Sequence, residues 1–261
     1  MDTQRPRQPA APRIEFCARS DVGRVRARNE DSLEVREAAG WAVLADGMGG
    51  YRGGDVASRI TVEAVIRRLE QEAASRPLAG TDVVGQVLHA AARDANDEIR
   101  RESQRVRELA GMGSTVVAAA FLPGQVVSAH IGDSRLYRLR SGVLQQLTRD
   151  HTMLQDLVDG GIMSAEEAGR SHFRGLLTRG LGVAATVVPD VSAHATQIGD
   201  LFLLCSDGLT DMLDDAAIQA GLAAATGSGD ALTRTADRLV AQANARGGRD
   251  NISLILAHVV G

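Results

Sequence analysis

Two long stretches of helical periodicity stand directly ahead of a series of short β-rich runs, and this change of texture narrows the fold more than any other feature. Residues 55–72 carry Val56, Ile60, Ala64, Ile66 and Leu69, and residues 83–109 set Val87, Ala91, Ala95 and Ile99 on one face. Both patterns predict amphipathic helices. From Ser114 the spacing becomes that of strands. Residues 114–122, 125–131, 135–140 and 143–147 are separated by Pro123-Gly124, Gly132-Asp133 and Ser141-Gly142, which predicts a meander of hairpins. Further strands are expected at 14–20, 32–36, 41–45, 187–196, 200–205 and 251–259, and helices at 214–225 and 230–245. Hairpin-connected strands alternating with long helices imply one α+β domain, its antiparallel sheets covered by helices. Residues 1–13, with Pro6, Pro9 and Pro12 among Arg5, Arg7 and Arg13, read as a flexible tail, leaving 14–261 as the domain. Residues 148–180 are polar and helical, with glycines at 160, 161 and 169, and read as a surface insertion.

Several chemistries are excluded by what is missing. All 29 basic residues are arginine, so no Schiff-base lysine, Walker A lysine or kinase strand lysine can exist. Any phosphate must be handled by arginine, backbone N–H groups or metal. Cys17 and Cys205 form no CxxC, which points to a reducing, cytoplasmic setting. The longest apolar run, Val116–Leu122, is far too short to span a membrane. A net charge of −4 and seven scattered aromatics argue against nucleic-acid binding. Gly47-x-Gly49 has Arg52 where a dinucleotide fingerprint needs a third glycine, and there is no GxSxG elbow. The six histidines include no HxxxH pair, so no zinc cluster is evident. Cys205 reads as a small buried hydrophobe rather than a nucleophile.

What remains is a recurring placement of acids. Asp46, Asp133, Asp207 and Asp250 each abut an apolar strand run beside Gly, Ser or Asn, and Glu30-Asp31 lie in a polar loop just before one. One Asp-Gly pair is more often a plain turn than a ligand. Several together at strand ends suggest carboxylates gathered at a sheet edge, the oxygen-rich setting that hard divalent cations prefer.

The order of the motifs carries a resemblance. SDVGRVRARNEDS (20–32), LADGMGG (44–50), GMGST (111–115), HIGDSRLYRLR (130–140), LTRDHT (147–152), LTRGLG (177–182), LLCSDGLTDML (203–213) and RDNISLI (249–255) occur in sequence. The chain thereby resembles the metal-dependent protein phosphatase 2C (PPM) family in its compact bacterial form. The resemblance implies a four-layer αββα sandwich: two antiparallel sheets flanked by helix pairs, with 148–180 as a flap. It implies that Asp46 bridges two Mn²⁺ or Mg²⁺ ions and that the Gly47 carbonyl binds the first. Asp207 and Asp250 would hold the second, with Glu30 and Asp31 acting directly or through water. A third, weaker metal would use Asp133 with Asp207. Arg26 would grip substrate phosphate through its planar fork. Arg24 and Arg28 alternate with Arg26, and on a strand all three would share a face; only Arg26 matches the motif.

Two departures are visible. Met48 stands where many eukaryotic members have a His proposed as general acid, and methionine cannot donate a proton. Within the flap, 172–176 reads His-Phe-Arg-Gly-Leu rather than HPxxN. The implied activity is hydrolysis of phosphoserine and phosphothreonine in proteins by a cytoplasmic monomer that reverses a bacterial Ser/Thr kinase. The rivals are an inactive phosphatase-like binding or regulatory domain, and a phosphatase for another phosphoester.

Overall fold

The computed structural model describes residues 13–49, 53–171, 175–223 and 229–261. Residues 1–12 of the expected tail and positions 172–174 of the flap departure fall outside these. Arg13 already pairs in a strand, one residue earlier than expected. One five-stranded sheet runs β1 (Arg13–Asp21), β11 (Ile252–Val260), β10 (Leu201–Cys205), β7 (Arg135–Arg140), β8 (Val143–Gln146). The other runs β2 (Asp31–Arg36), β3 (Trp41–Met48), β5 (Val116–Leu122), β6 (Gln125–Ile131), β9 (Asp190–Ala195), with β4 (Gly113–Ser114) on the end of β3. All pairings are antiparallel.

Strand periodicity explains why the sheets stack. In β3, Trp41, Val43 and Ala45 face one way while Ala42 and Leu44 face the other. Both faces are buried, so the run reads as continuously apolar. The inner residues of both sheets, among them Leu44, Val117, Phe202, Leu204 and Ile255, meet in one core. The outer face of the second sheet packs under α1 (Gly53–Ser75) and α2 (Thr81–Arg105), the antiparallel pair whose apolar stripes were legible in the sequence. The outer face of the first is covered by α5 (Asp207–Thr210), α6 (Asp215–Leu222) and α7 (Gly229–Ala245). This is the αββα sandwich. Each fully buried Leu or Val contributes roughly 1.5–3 kcal/mol against exposure.

Three local expectations need correction. The helix expected over 83–109 stops at Arg105, because Val106 adopts an extended conformation (φ −117°, ψ 110°) before a short 3₁₀ turn, Arg107–Leu109. The meander over 114–147 is two hairpins in different sheets: β5–β6 in one, β7–β8 in the other. Between them the chain crosses the sandwich at Gly132, with φ +101° and so little room that a Cβ would lie 2.6 Å from Thr115 Cγ2. Only glycine suits that position. Finally, Arg24, Arg26 and Arg28 lie on an irregular loop from β1 to β2, not on a strand, so alternation does not align them. That loop, from β1 to β2, is another of the connections between the sheets. It and the Gly132 crossing fall at the same end of the sandwich as the C-termini of β3 and β10 and the start of β11.

Candidate active site

Each acid singled out in the sequence arrives at that end on its own element. Asp46 is not at the end of its strand but within β3, which continues to Met48 by pairing Gly47 with Ser114 and Met48 with Gly113. Directly across the ladder from Asp46 is Asp31, the first residue of β2. Like charges placed opposite each other destabilise a sheet unless something lies between them. Asp207 opens α5 after the β10 strand, and Asp133 follows the Gly132 crossing. Asp250 precedes β11 and accepts the Asn251 N–H on Oδ1 at 2.9 Å. The charges of Asp31, Asp207 and Asp133 all act on Asp46, and those of Asp133, Asp211 and Asp250 on Asp207, so the acids form one cluster.

Their protonation follows from crowding. Burial pushes Asp31 and Asp133 each up to about 6, with Asp250 adding to the first and Asp150 to the second. Asp46 and Asp207 are raised well above the carboxylate range, first by burial and then by neighbouring acids. Glu30 is raised by burial and by Asp55. A cluster that resists ionisation in this way is one that a cation would relieve.

Two observations test whether the residues fit metal. Asp31 Oδ1 and Asp207 Oδ1 are buried without a hydrogen-bond partner among the described residues. Buried polar atoms in folded proteins are rarely left so. Beside them, Gly54 at the start of α1 leaves a cradle: a Cβ there would lie 2.7 Å from Glu30 Oε2 and 2.8 Å from the Gly47 carbonyl oxygen. The glycine keeps that space clear. Among the described residues, oxygen donors alone converge here, which is the donor set of Mg²⁺ or Mn²⁺ rather than zinc.

A set of small polar residues holds the acids in place. Thr115 Oγ1 accepts the Asp46 N–H at 2.9 Å and contacts Ser134 Oγ at 2.7 Å, while the Thr115 N–H donates to the Asp46 carbonyl at 2.8 Å. Ser206 Oγ donates to Asp31 Oδ2 at 2.8 Å. Asn251 accepts the Glu30 N–H at 2.8 Å and donates to the Val22 and Arg28 carbonyls. Sequence reasoning did not single these out, although Thr115, Ser206 and Asn251 lie inside the quoted motifs. Arg26 donates to Asp250 Oδ2 at 2.7 Å, so the expected phosphate grip is tied to an expected metal ligand. Met48 Cε lies where a Cβ on Gly180 would come within 2.5 Å, so this side chain packs against the returning end of the flap. Cys205 is fully buried and its thiol is pushed up to about 12 by burial, which leaves it inert.

A cleft of about 760 Å³ opens from Asp133 and Asp207 outward beneath α3 (Met153–Asp159) and α4 (Ala165–Arg170) of the flap. An αββα sandwich with its acids between the sheets at one end is the architecture that the motifs implied. The chain belongs to the protein phosphatase 2C family, whose model matches residues 23–253. It is 38% identical over 95% of its length to the serine/threonine protein phosphatase PstP of Mycobacterium tuberculosis, of which it spans 45%. It is 37% identical to the serine/threonine phosphatase stp of Listeria innocua, covering 91% of this chain and 93% of that one. A solved PstP catalytic domain in complex with two manganese ions superposes with a TM-score of 0.81 at 37% identity, covering 95% of this chain and 99% of that one. Among the described residues, no helix is long and apolar enough to cross a membrane.

Proposed function

We propose that this chain is a metal-dependent protein phosphatase acting on phosphoserine and phosphothreonine. The observation that carries the reading is the facing pair Asp31 and Asp46, with orphaned carboxylate oxygens beside the cradle that Gly54 leaves open. In this reading Asp46 would serve both core Mn²⁺ or Mg²⁺ ions and the Gly47 carbonyl the first. Asp207 and Asp250 would hold the second, with Glu30 and Asp31 acting directly or through water, and Asp133 with Asp207 would take a third. Bound there, the cations supply charge neutralisation of the phosphoryl oxygens and a more acidic attacking water. Arg26 orients the phosphate, and its link to Asp250 sets the guanidinium at the edge of the cluster. The buried, inert Cys205 leaves attack to water, with no thiol intermediate. The expectations of a cytoplasmic monomer, of residues 14–261 as the phosphatase domain and of a Ser/Thr kinase whose products it reverses belong to the same proposal.

Purified protein should release phosphate from a phosphothreonine peptide with Mn²⁺ and lose that activity in EDTA. Activity that survives chelation overturns the metal assignment. No activity with any divalent metal favours the rival binding domain, and a preference for phosphotyrosine or a small phosphoester favours the other rival. Arg26→Ala should act on binding. A charge-assisted hydrogen bond is worth about 1.5–3 kcal/mol, so kcat/KM should fall roughly 10- to 100-fold. The change should appear mainly as a raised KM; a fall in kcat at unchanged KM would deny Arg26 this role.

A further inference from the structure

His151 lies between the metal cluster and the root of the flap. Its backbone N–H donates to the Gly132 carbonyl at 3.0 Å, and the Gly132 N–H donates back to its Nδ1 at 3.1 Å. Gly132 is therefore held on both sides, one residue before Asp133, in the positive-φ conformation that makes the crossing. Because Nδ1 accepts, the ring proton sits on Nε2, which faces Asp190 Oδ2 at 3.2 Å. Asp190 is in turn held by Arg179, which donates to Oδ1 at 2.7 Å. His130 stacks on the His151 ring with centroids 4.5 Å apart, and its Nε2 bonds the Arg149 carbonyl at 2.8 Å.

His130, His151 and Asp190 bring donor atoms close enough together to resemble a metal site. The tautomer opposes it. A cation on Nε2 would move the proton to Nδ1, where it would meet the Gly132 N–H donor head on. Arg179 also already neutralises Asp190.

The same residue anchors the flap. The Thr178 N–H donates to the His151 carbonyl at 2.9 Å, and the Met153 N–H donates to the Leu176 carbonyl at 2.9 Å, so the flap leaves and returns at His151. We propose that His151 is a positioning residue: through Gly132 it sets the Asp133 carboxylate, and through Asp190 and Arg179 it ties that carboxylate to the flap root. The inference rests on the reading of Asp133 as a metal ligand. Partners of this kind typically change metal affinity or activity 10- to 100-fold when removed.

The test exploits the two ring nitrogens, because asparagine reproduces an Nδ1 acceptor whereas glutamine reaches toward the Nε2 position. Mn²⁺ alone is titrated calorimetrically into the full chain, and the Mn²⁺ dependence of phosphopeptide hydrolysis is followed in parallel. His151→Ala and His151→Gln should weaken the weakest Mn²⁺ binding step about tenfold and raise the Mn²⁺ needed for half-maximal rate by a similar factor. His151→Asn should recover to within about threefold of wild type. Equal behaviour of Asn and Gln, or unchanged Mn²⁺ binding in the Ala variant, overturns the proposal. Should the core substitutions not fold, Arg179→Ala at the exposed end of the chain of contacts should weaken the same step about threefold, and no change there also overturns it. Asp133→Asn is the control. If it leaves every Mn²⁺ step intact, the ligand reading of Asp133 fails and the inference falls with it; if it removes the weak step while the His151 variants do not, only the inference fails.

Discussion

Asp207→Asn should lower kcat by about a thousandfold or more while leaving the sandwich folded. The side chain starts α5 with one buried oxygen that no hydrogen-bond donor among the described residues satisfies. An amide is nearly isosteric, but it replaces one anionic oxygen with an NH₂ group that cannot ligate a cation. Metal ions contribute several kcal/mol of transition-state stabilisation, and each 1.36 kcal/mol is tenfold in rate. Removing one of the three like charges that push Asp46 upward should hold or raise the melting temperature of the metal-free protein. The combination of lost turnover with a retained or higher melting temperature distinguishes a ligand from a structural carboxylate. A near-normal kcat would mean that Asp207 is not a metal ligand.

The second large effect is the pH dependence of the metal-free protein. Asp31 and Asp133 each move from 3.8 in a free chain to about 6 in the fold. Folding therefore takes up protons at these sites. Their neutral forms are accommodated without penalty below about pH 4, and that advantage is lost as pH rises through about 6. Two units correspond to roughly 3 kcal/mol at each site, before allowance for their mutual coupling. In EDTA the melting temperature should fall by about 10 °C between pH 5 and pH 7.5. Mn²⁺ should reverse the loss at pH 7.5 and add far less at pH 5, where protons compete for the same oxygens. Melting curves by circular dichroism, with and without Mn²⁺, measure this. A flat profile in EDTA would mean that the cluster tolerates its charges without a cation.

Much of this architecture could be read in advance, and the parts that could not share a cause. Helix α1 announces itself through Ile60, Ala64 and Leu69 and α2 through Val87, Ala91, Ala95 and Ile99, because a stripe facing one sheet must repeat every helical turn. The strands appear as short apolar runs because both sheet faces are covered. Turn residues, however, announce that the chain reverses without saying toward which sheet. Pro123-Gly124 closes a hairpin, whereas Gly132-Asp133 crosses the sandwich, and only the close approach to Thr115 tells them apart. The acids were found because carboxylates beside glycines at strand ends are chemically conspicuous. Thr115, Ser206, Asn251 and His151 were not, since a hydroxyl, amide or imidazole that orients a neighbour looks the same in sequence as one exposed to water. The arginine trio failed for a related reason: alternation has meaning only in a strand, and residues 22–30 are loop.

The place of β11 has a consequence for how the molecule comes together. Of the strands described, this one is synthesised last, yet it occupies the interior of its sheet, between β1 and β10. Until it is in place, β1 has no partner in that sheet and β10 lacks one of its two neighbours. The helical pair α1–α2 and the sheet beneath it, whose contacts except for β9 lie within the first half of the chain, can assemble early. Asp250 stands two residues ahead of this strand. In the proposed reading, the cluster that holds the cations is therefore complete only once this strand has docked, and a partly folded chain with one sheet formed would still lack its Asp250 ligand.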